Sequence, residues 1–172
     1  PSSSTLHELW FYDRCLALSP VFSALEKNTG LKSLKVAVKD AMDESLCTAM
    51  QNGLGMNVTI ESLELYQATL LDADLGHRVL SFLFTNKILK STIVDAFGAA
   101  RELCRSAFCR HIAAMLQDNV SLESLSIRSI IWHMFPMQAD EYVVLYTAIQ
   151  HNTRLKYLYN DENLTLTNSH QT

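Results

Sequence analysis

The sequence predicts an α/β repeat fold: a solenoid, or horseshoe segment, with a parallel β-sheet on its concave face and α-helices on its convex face. Three observations lead there. A seven-residue phrase recurs, as NTGLKSL at Asn28, NVTIESL at Asn57, NVSLESL at Asn119 and NTRLKYL at Asn152, with a degenerate NKILKST at Asn86. Successive asparagines are 29, 29, 33 and 33 residues apart. Within each unit the apolar spacing switches between two and four residues, which is strand spacing followed by helix spacing.

The strand of each unit follows from N-x-x-L-x-x-L-x-φ, where φ is apolar. An opening unit near Ser3 supplies Leu6, Leu9 and Phe11, with serine in place of asparagine. The next sets are Leu31, Leu34, Val36; Ile60, Leu63, Leu65; Leu89, Thr92, Val94; and Leu122, Leu125, Ile127. The last is Leu155 and Leu158, with Asn160 breaking the third place. The final two positions of a set are two apart, so they point to one side of a short strand. Six units thus start near Ser3, Asn28, Asn57, Asn86, Asn119 and Asn152, and make one domain over 1–172.

The helix of each unit precedes the asparagine. Apolar pairs four apart stand there: Val21 and Leu25, Met50 and Leu54, Val79 and Leu83, Ile112 and Leu116, Leu145 and Ile149. That spacing is one face of a helix. Ser19 suits the first N-cap and Pro20 the first helical turn. The asparagine then falls just past the helix end, where a left-handed residue is expected. A helix between consecutive strands is a crossover, so the strands pair in parallel. A unit of this size cannot bury its apolar side alone; stacked units can.

Bulk properties agree with a packed domain. The chain has 172 residues, 48% hydrophobic and 19% charged, a globular composition. Its net charge is −4 and its Lys and Arg are scattered, which argues against nucleic acid as a partner. No apolar run approaches the roughly 18 residues of a membrane helix, so no membrane insertion is expected. Cys15, Cys47, Cys104 and Cys109 lack a disulfide-framework spacing and fit reduced thiols in the cytoplasm. Sequons at Asn57, Asn119 and Asn163 point the other way, but two fall on the repeated asparagine, which has a structural explanation. Beginning at Pro1 without Met, the sequence reads as a fragment or a processed product.

Signs of catalysis do not appear. The five glycines are dispersed, and neither a phosphate loop nor a nucleophile elbow is written. Cys104, Cys109 and His111 form C-x4-C-x-H, yet a spacing of five does not put both thiols on one helix face. His133 beside Trp132 reads as a packed or loop histidine. No carboxylate pair suggests acid–base work. The expectation is no enzyme activity, no cofactor and no metal.

L-x-x-L-x-L with a helix in a unit of this length resembles the leucine-rich repeat family, and the unit length resembles its ribonuclease-inhibitor-like subclass. The resemblance runs from Leu6 to about Leu158. That family places Asn or Cys five residues after the second Leu, in a buried hydrogen-bond ladder. Here Arg14, Lys39, Ala68, Phe97, Ile130 and Asn163 stand there, so an irregular loop packed by apolar groups is expected. The two longer units carry extra residues near FGAARELCRSAFCRH and SIIWHMFPMQADEY, which lengthen the convex side or its loops. The phrase at Asn28 to Leu34 is also similar to the C-terminal repeat domain of the tropomodulins, which cap actin filaments.

The other side of the strands supplies the candidate site. Glu8, Trp10, Tyr12, Lys35, Glu64, Tyr66, Asp95, Arg128, Tyr157, Tyr159 and Asp161 alternate with the inward residues and should line the concave face. Trp, Tyr and Arg are the types that carry interface energy, although aromatics also favour strands for their own sake. A second row follows each first Leu: His7, Lys32, Glu61, Lys90, Glu123 and Lys156, alternating in charge. At a strand spacing of roughly 4.8 Å these groups can pair and would penalise a one-unit slip. Thr92, alone among Leu residues at its position, should bury a hydroxyl, and Thr92→Leu is expected to raise the unfolding midpoint.

The function these features suggest is a non-enzymatic protein–protein interaction scaffold with another protein on its concave face. The alternatives are a structural segment of a larger assembly or receptor, and an actin-binding or GTPase-regulating repeat domain.

Overall fold

A computed structural model of the chain describes residues 6–13, 18–38, 43–70, 86–98, 102–128, 139–160 and 166–167. Strands and helices alternate along them: β1 (Glu8–Asp13), α1 (Leu18–Leu25), β2 (Ser33–Val38), α2 (Glu44–Met56), β3 (Ser62–Leu70) and β4 (Ser91–Gly98). After these come α3 (Glu102–Asp118), β5 (Ser124–Arg128), α4 (Ala139–His151), β6 (Tyr157–Asn160) and β7 (Leu166–Thr167). The helical positions Val79 and Leu83 of the third unit lie outside the described residues.

The strands form one sheet in sequence order, β1 to β7. β1 to β6 pair in parallel, as the crossovers require. β7 departs from that rule and runs antiparallel to β6, with Tyr157 opposite Thr167 and Leu158 opposite Leu166. The repeat alignment becomes physical register: Leu9, Leu34, Leu63, Thr92, Leu125 and Leu158 form one row across six strands. Register slips once, between β3 and β4. Leu65 faces Val94 and Ala68 faces Ala96, so β3 carries one extra residue in a bulge.

The inward rows meet the helices in a single core. Leu34, Val36, Leu63, Leu65 and Leu125 are buried there with Phe22, Met50, Ile112, Leu116 and Ile149. In α1 the buried residues are Leu18, Phe22 and Leu25, so Phe22 rather than Val21 fills the middle of the face. α1 begins at Leu18. Ser19 is therefore inside the first turn and not its cap; Pro20 fits that turn because its missing N–H is not needed there. Asp43 does cap α2, its side chain accepting the Leu46 N–H at 2.7 Å. α3, the longest described helix, takes up the extra residues of the fourth unit. Residues 129–138 of the later insertion lie outside the described residues, His133 among them.

The asparagines correct the sequence reading. Asn57 follows α2 in extended, not left-handed, conformation (φ −70°, ψ 130°). The backbone has no need of a left-handed residue because the side chain does the capping. Asn57 Oδ1 accepts the N–H groups of Thr59 (2.9 Å) and Ile60 (2.8 Å), which closes the turn into β3. Its Nδ2 donates to the carbonyls of Leu25 (2.7 Å) and Asn28 (3.1 Å), one unit back. Asn86 repeats the pattern, accepting from Ile88 and Leu89 and donating to Leu54 and Asn57. Asn152 does so too, with Arg154 and Leu155 as donors and Leu116 and Asn119 as acceptors. Asn28 and Asn119 close their own turns in the same way. A buried ladder of asparagine side chains thus stands before β3, β4 and β6. Of the positions where the family's ladder would run and an irregular loop is expected, 68 and 97 are strand residues of β3 and β4, while Arg14, Lys39, Ile130 and Asn163 lie outside the described residues.

Candidate protein-binding face of the sheet

The alternation of each strand turns one side chain in two away from the helices. Glu8 and Trp10 on β1, Lys35 on β2, Glu64 and Tyr66 on β3, Asp95 on β4, and Tyr157 and Tyr159 on β6 occupy that open face. Tyr12 and Arg128 hold the matching register positions on β1 and β5. Asp161 lies outside the described residues.

Charge organises the β1 side. Lys35 Nζ lies 3.4 Å from Glu8 and 3.3 Å from Glu64. Hydrogen bonding to Glu64 raises the Lys35 pKa, with the Glu8 carboxylate adding to the effect. Tyr66 sits at the bulge of β3, opposite Ala37 on one side, and its hydroxyl donates to the Glu64 carboxylate. Tyr66 and Glu64 are two apart on β3, so strand alternation puts them on the same face. Asp95 and Arg128 are cross-strand partners in register.

Aromatic surface lies at the two ends. Trp10 is 68% exposed; Tyr157 and Tyr159 are 45% and 40% exposed. The two tyrosine rings stack with centroids 6.1 Å apart and planes 14° from parallel. β1 and β6 are five strand spacings apart, roughly 24 Å at the usual separation, so the two aromatic ends do not meet. Between them the face is low. Ser33, Ser62, Ser91 and Ser124 form one cross-sheet row of small side chains. Ala37 and Ser126 are buried, each beside bulkier cross-strand neighbours. That serine row was written in the sequence at one position of four units, but composition gives no reason to single it out.

The charge row at the strand entrance forms as its alternation predicts. Lys90 Nζ lies 2.6 Å and Lys32 Nζ 3.5 Å from Glu61, and Lys156 Nζ lies 2.9 Å from Glu123. The Lys90 bond holds Glu61 below the ordinary carboxylate range, and the Lys156 bond does the same for Glu123. Lys90 is raised in turn by its bond to Glu61. The cause of this regularity is in the main chain. Each carbonyl of the row accepts two N–H groups of the next unit, as when the Glu61 carbonyl takes Lys90 (2.8 Å) and Ser91 (3.1 Å). Beside this row, the turn edge exposes Val58 and Val120, each immediately after its asparagine, which hydrophobic patterning alone does not flag.

Among the described residues, no three His, Cys, Asp or Glu side chains converge as metal ligands, and no helix is long and apolar enough to cross a membrane. Cys104, Cys109 and His111 all lie on α3.

By sequence, no protein-family model and no curated protein matches the chain. Solved structures do. The actin-binding site 2 domain of leiomodin-1 superposes with a TM-score of 0.68 over 86% of this chain and 80% of that one, at 14% identity. The tropomodulin C-terminal domain of Caenorhabditis elegans gives 0.63 over 84% and 83%, at 11% identity. The chain is therefore similar in fold, a leucine-rich-repeat-like stack of strand–helix units, to the leiomodin and tropomodulin domains.

Proposed function

We propose that this chain is a non-enzymatic interaction module that binds another protein on the open face of its sheet. The observation that carries this reading is the exposure of Trp10, Tyr157 and Tyr159 on a sheet whose register is locked unit by unit. A rigid support lowers the ordering cost of binding, and large aromatic side chains return the most energy per residue. The low serine row between them leaves room for a partner to approach the sheet. An intracellular setting fits the same picture. Asn57 and Asn119 of two sequons are buried, their side-chain oxygens closing turns, so the fold already accounts for them.

The test is affinity capture with this chain beside a Trp10→Ala, Tyr157→Ala, Tyr159→Ala variant of equal thermal stability. A partner retained by the wild type and lost by the variant supports the reading; each anchoring residue should cost about 2 kcal/mol, roughly 30-fold in affinity. A partner held equally by both moves recognition off this face.

A second reading is actin binding, favoured by the structural likeness to a leiomodin domain named for it. Co-sedimentation with filamentous actin, and binding to monomeric actin, distinguish it. No binding to either form removes this reading and leaves the first untouched.

A further inference from the structure

Positive charge and exposed aliphatic side chains gather on the edge where the asparagine turns enter the sheet. From the residue before each repeated asparagine to the fourth after it, these turns carry Lys27, Lys32, Lys87, Lys90, Arg154 and Lys156 against Glu61, Asp118 and Glu123. Six cations thus meet three carboxylates, in a chain whose net charge is −4. All six cations are exposed. Glu61 is shared by Lys32 and Lys90, so pairing leaves a surplus of amine on the row.

Along the same edge Met56, Val58 and Val120 are 63%, 66% and 58% exposed. The valines do not sit on slack loops. Asn57 Oδ1 accepts the N–H groups of Thr59 and Ile60, and Asn119 Oδ1 those of Ser121 and Leu122, so each valine stands in a closed turn. Val58 leads into β3 and Val120 into β5, both interior strands with parallel neighbours on either side. The fold does not require an apolar residue there, since Thr29, Lys87 and Thr153 hold the same position in other units and are exposed as well. β3 and β5 are two strand spacings apart, so the valines lie roughly 10 Å from each other with Lys87 between them.

We infer that this turn edge docks on an anionic lipid surface, with Met56, Val58 and Val120 entering the headgroup boundary and the lysines and Arg154 lying at phosphate level. Two features favour lipid over an acidic protein. The apolar side chains are separated by cations, whereas the centre of a protein interface is contiguous and depleted of charge. A bilayer surface yields around isolated aliphatic tips and receives the neighbouring amines at its headgroups, with the long Lys and Arg stems along the apolar layer. Each cation held near an anionic surface raises binding by roughly fivefold. No segment crosses the bilayer in this arrangement. The strands stand end-on to it, and the open face of the sheet stays in water. The inference therefore neither needs nor opposes the protein-binding reading above.

Vesicle co-sedimentation tests it, with phosphatidylcholine containing about 30% phosphatidylserine beside phosphatidylcholine alone. The chain should pellet with the anionic vesicles at roughly 0.1 M salt, lose about tenfold in affinity at roughly 0.5 M, and stay in solution with the neutral ones. A Val58→Ser, Val120→Ser variant of unchanged melting temperature should bind about fivefold more weakly. Lys27→Glu with Arg154→Glu should weaken binding by roughly tenfold or more. If the serine variant does not fold, the charge-reversed one decides by the same comparison. No binding to the anionic vesicles at about 1 mM lipid overturns the inference. So does equal binding to both kinds of vesicle, or undiminished binding by the folded serine variant, which would mean that the edge reads charge alone. Capture of poly-glutamate where the anionic vesicles are not bound would make the edge a site for acidic protein and overturns it likewise.

Discussion

Asn86 shows what one residue does in this fold. It is buried, accepts two turn N–H groups and donates to two carbonyls of the preceding unit. With four bonds at about 0.5–1.5 kcal/mol each, Asn86→Ala should cost about 2–5 kcal/mol in denaturant unfolding. Asn86→Asp keeps the acceptor but turns a carboxylate on the Leu54 and Asn57 carbonyls, so it should be at least as damaging at neutral pH. Thr92 works in the opposite direction. It sits between Leu63 and Leu125 in the core row, and its Oγ1 is buried with no hydrogen-bond partner. Thr92→Val removes the hydroxyl at nearly constant volume and should stabilise by about 1 kcal/mol, read as a higher midpoint at unchanged m-value. Thr92→Leu restores the repeat and should gain further only if the row can take the added volume. Repeat alignment made the Thr92 position legible without any structure. The role of Asn86 was not, because half of its partners are carbonyls 29 and 32 residues away, and no local pattern encodes such a bond.

Elements pack as closely as the helix pair α1 and α2 shows. A Cβ built at Gly53 would lie 1.9 Å from the Phe22 carbonyl oxygen and 2.7 Å from its carbon. Alanine is intrinsically the better helix residue by about 1 kcal/mol, yet the backbone of α1 leaves it no room. Gly53→Ala is therefore expected to destabilise by about 1–3 kcal/mol and to lower the melting temperature. A rise would mean the two helices separate easily. The strands and most helices were readable because periods of two and four are strong signals over a unit repeated six times. β7 was not, since two residues carry no period. The bulge in β3 was hidden for a related reason: one inserted residue leaves the inward row before it unchanged and shows only in pairing with β4.

Across the whole molecule, the alternating Lys and Glu row ties neighbouring units. The folded-state pKa values of Glu61 and Glu123 lie below their ordinary value, through their bonds to Lys90 and Lys156. A depressed carboxyl contributes stability above its unfolded pKa and loses it as the pH falls through the folded one. The lysine partner Lys90 is shifted up, so its share is lost only as the pH rises through the alkaline range. Thermal melts of the wild type and a Glu61→Gln, Glu123→Gln variant should differ at neutral pH. They should converge as the pH drops below the ordinary glutamate range. A gap that persists at low pH would mean the two side chains act by packing rather than by charge. The effect is expected to be small, because these pairs are exposed and screened by salt. The row itself, and the identity of the open-face residues, could be written down from the sequence because strict register makes unit position equivalent to spatial position. Lys35 and Glu64 face each other in register, but the ion pair from Glu8 to Lys35 runs diagonally across it, so that connection could not be read from unit position.

The reversed direction of β7 bears on how such a chain can lengthen. A duplicated unit inserted anywhere between β1 and β6 would find parallel neighbours on both sides and an asparagine waiting to receive it. A unit placed against β6 from outside would meet a strand of the wrong polarity and would first have to displace it. A change in repeat number is therefore expected between β1 and β6, where a new strand meets parallel neighbours on both sides.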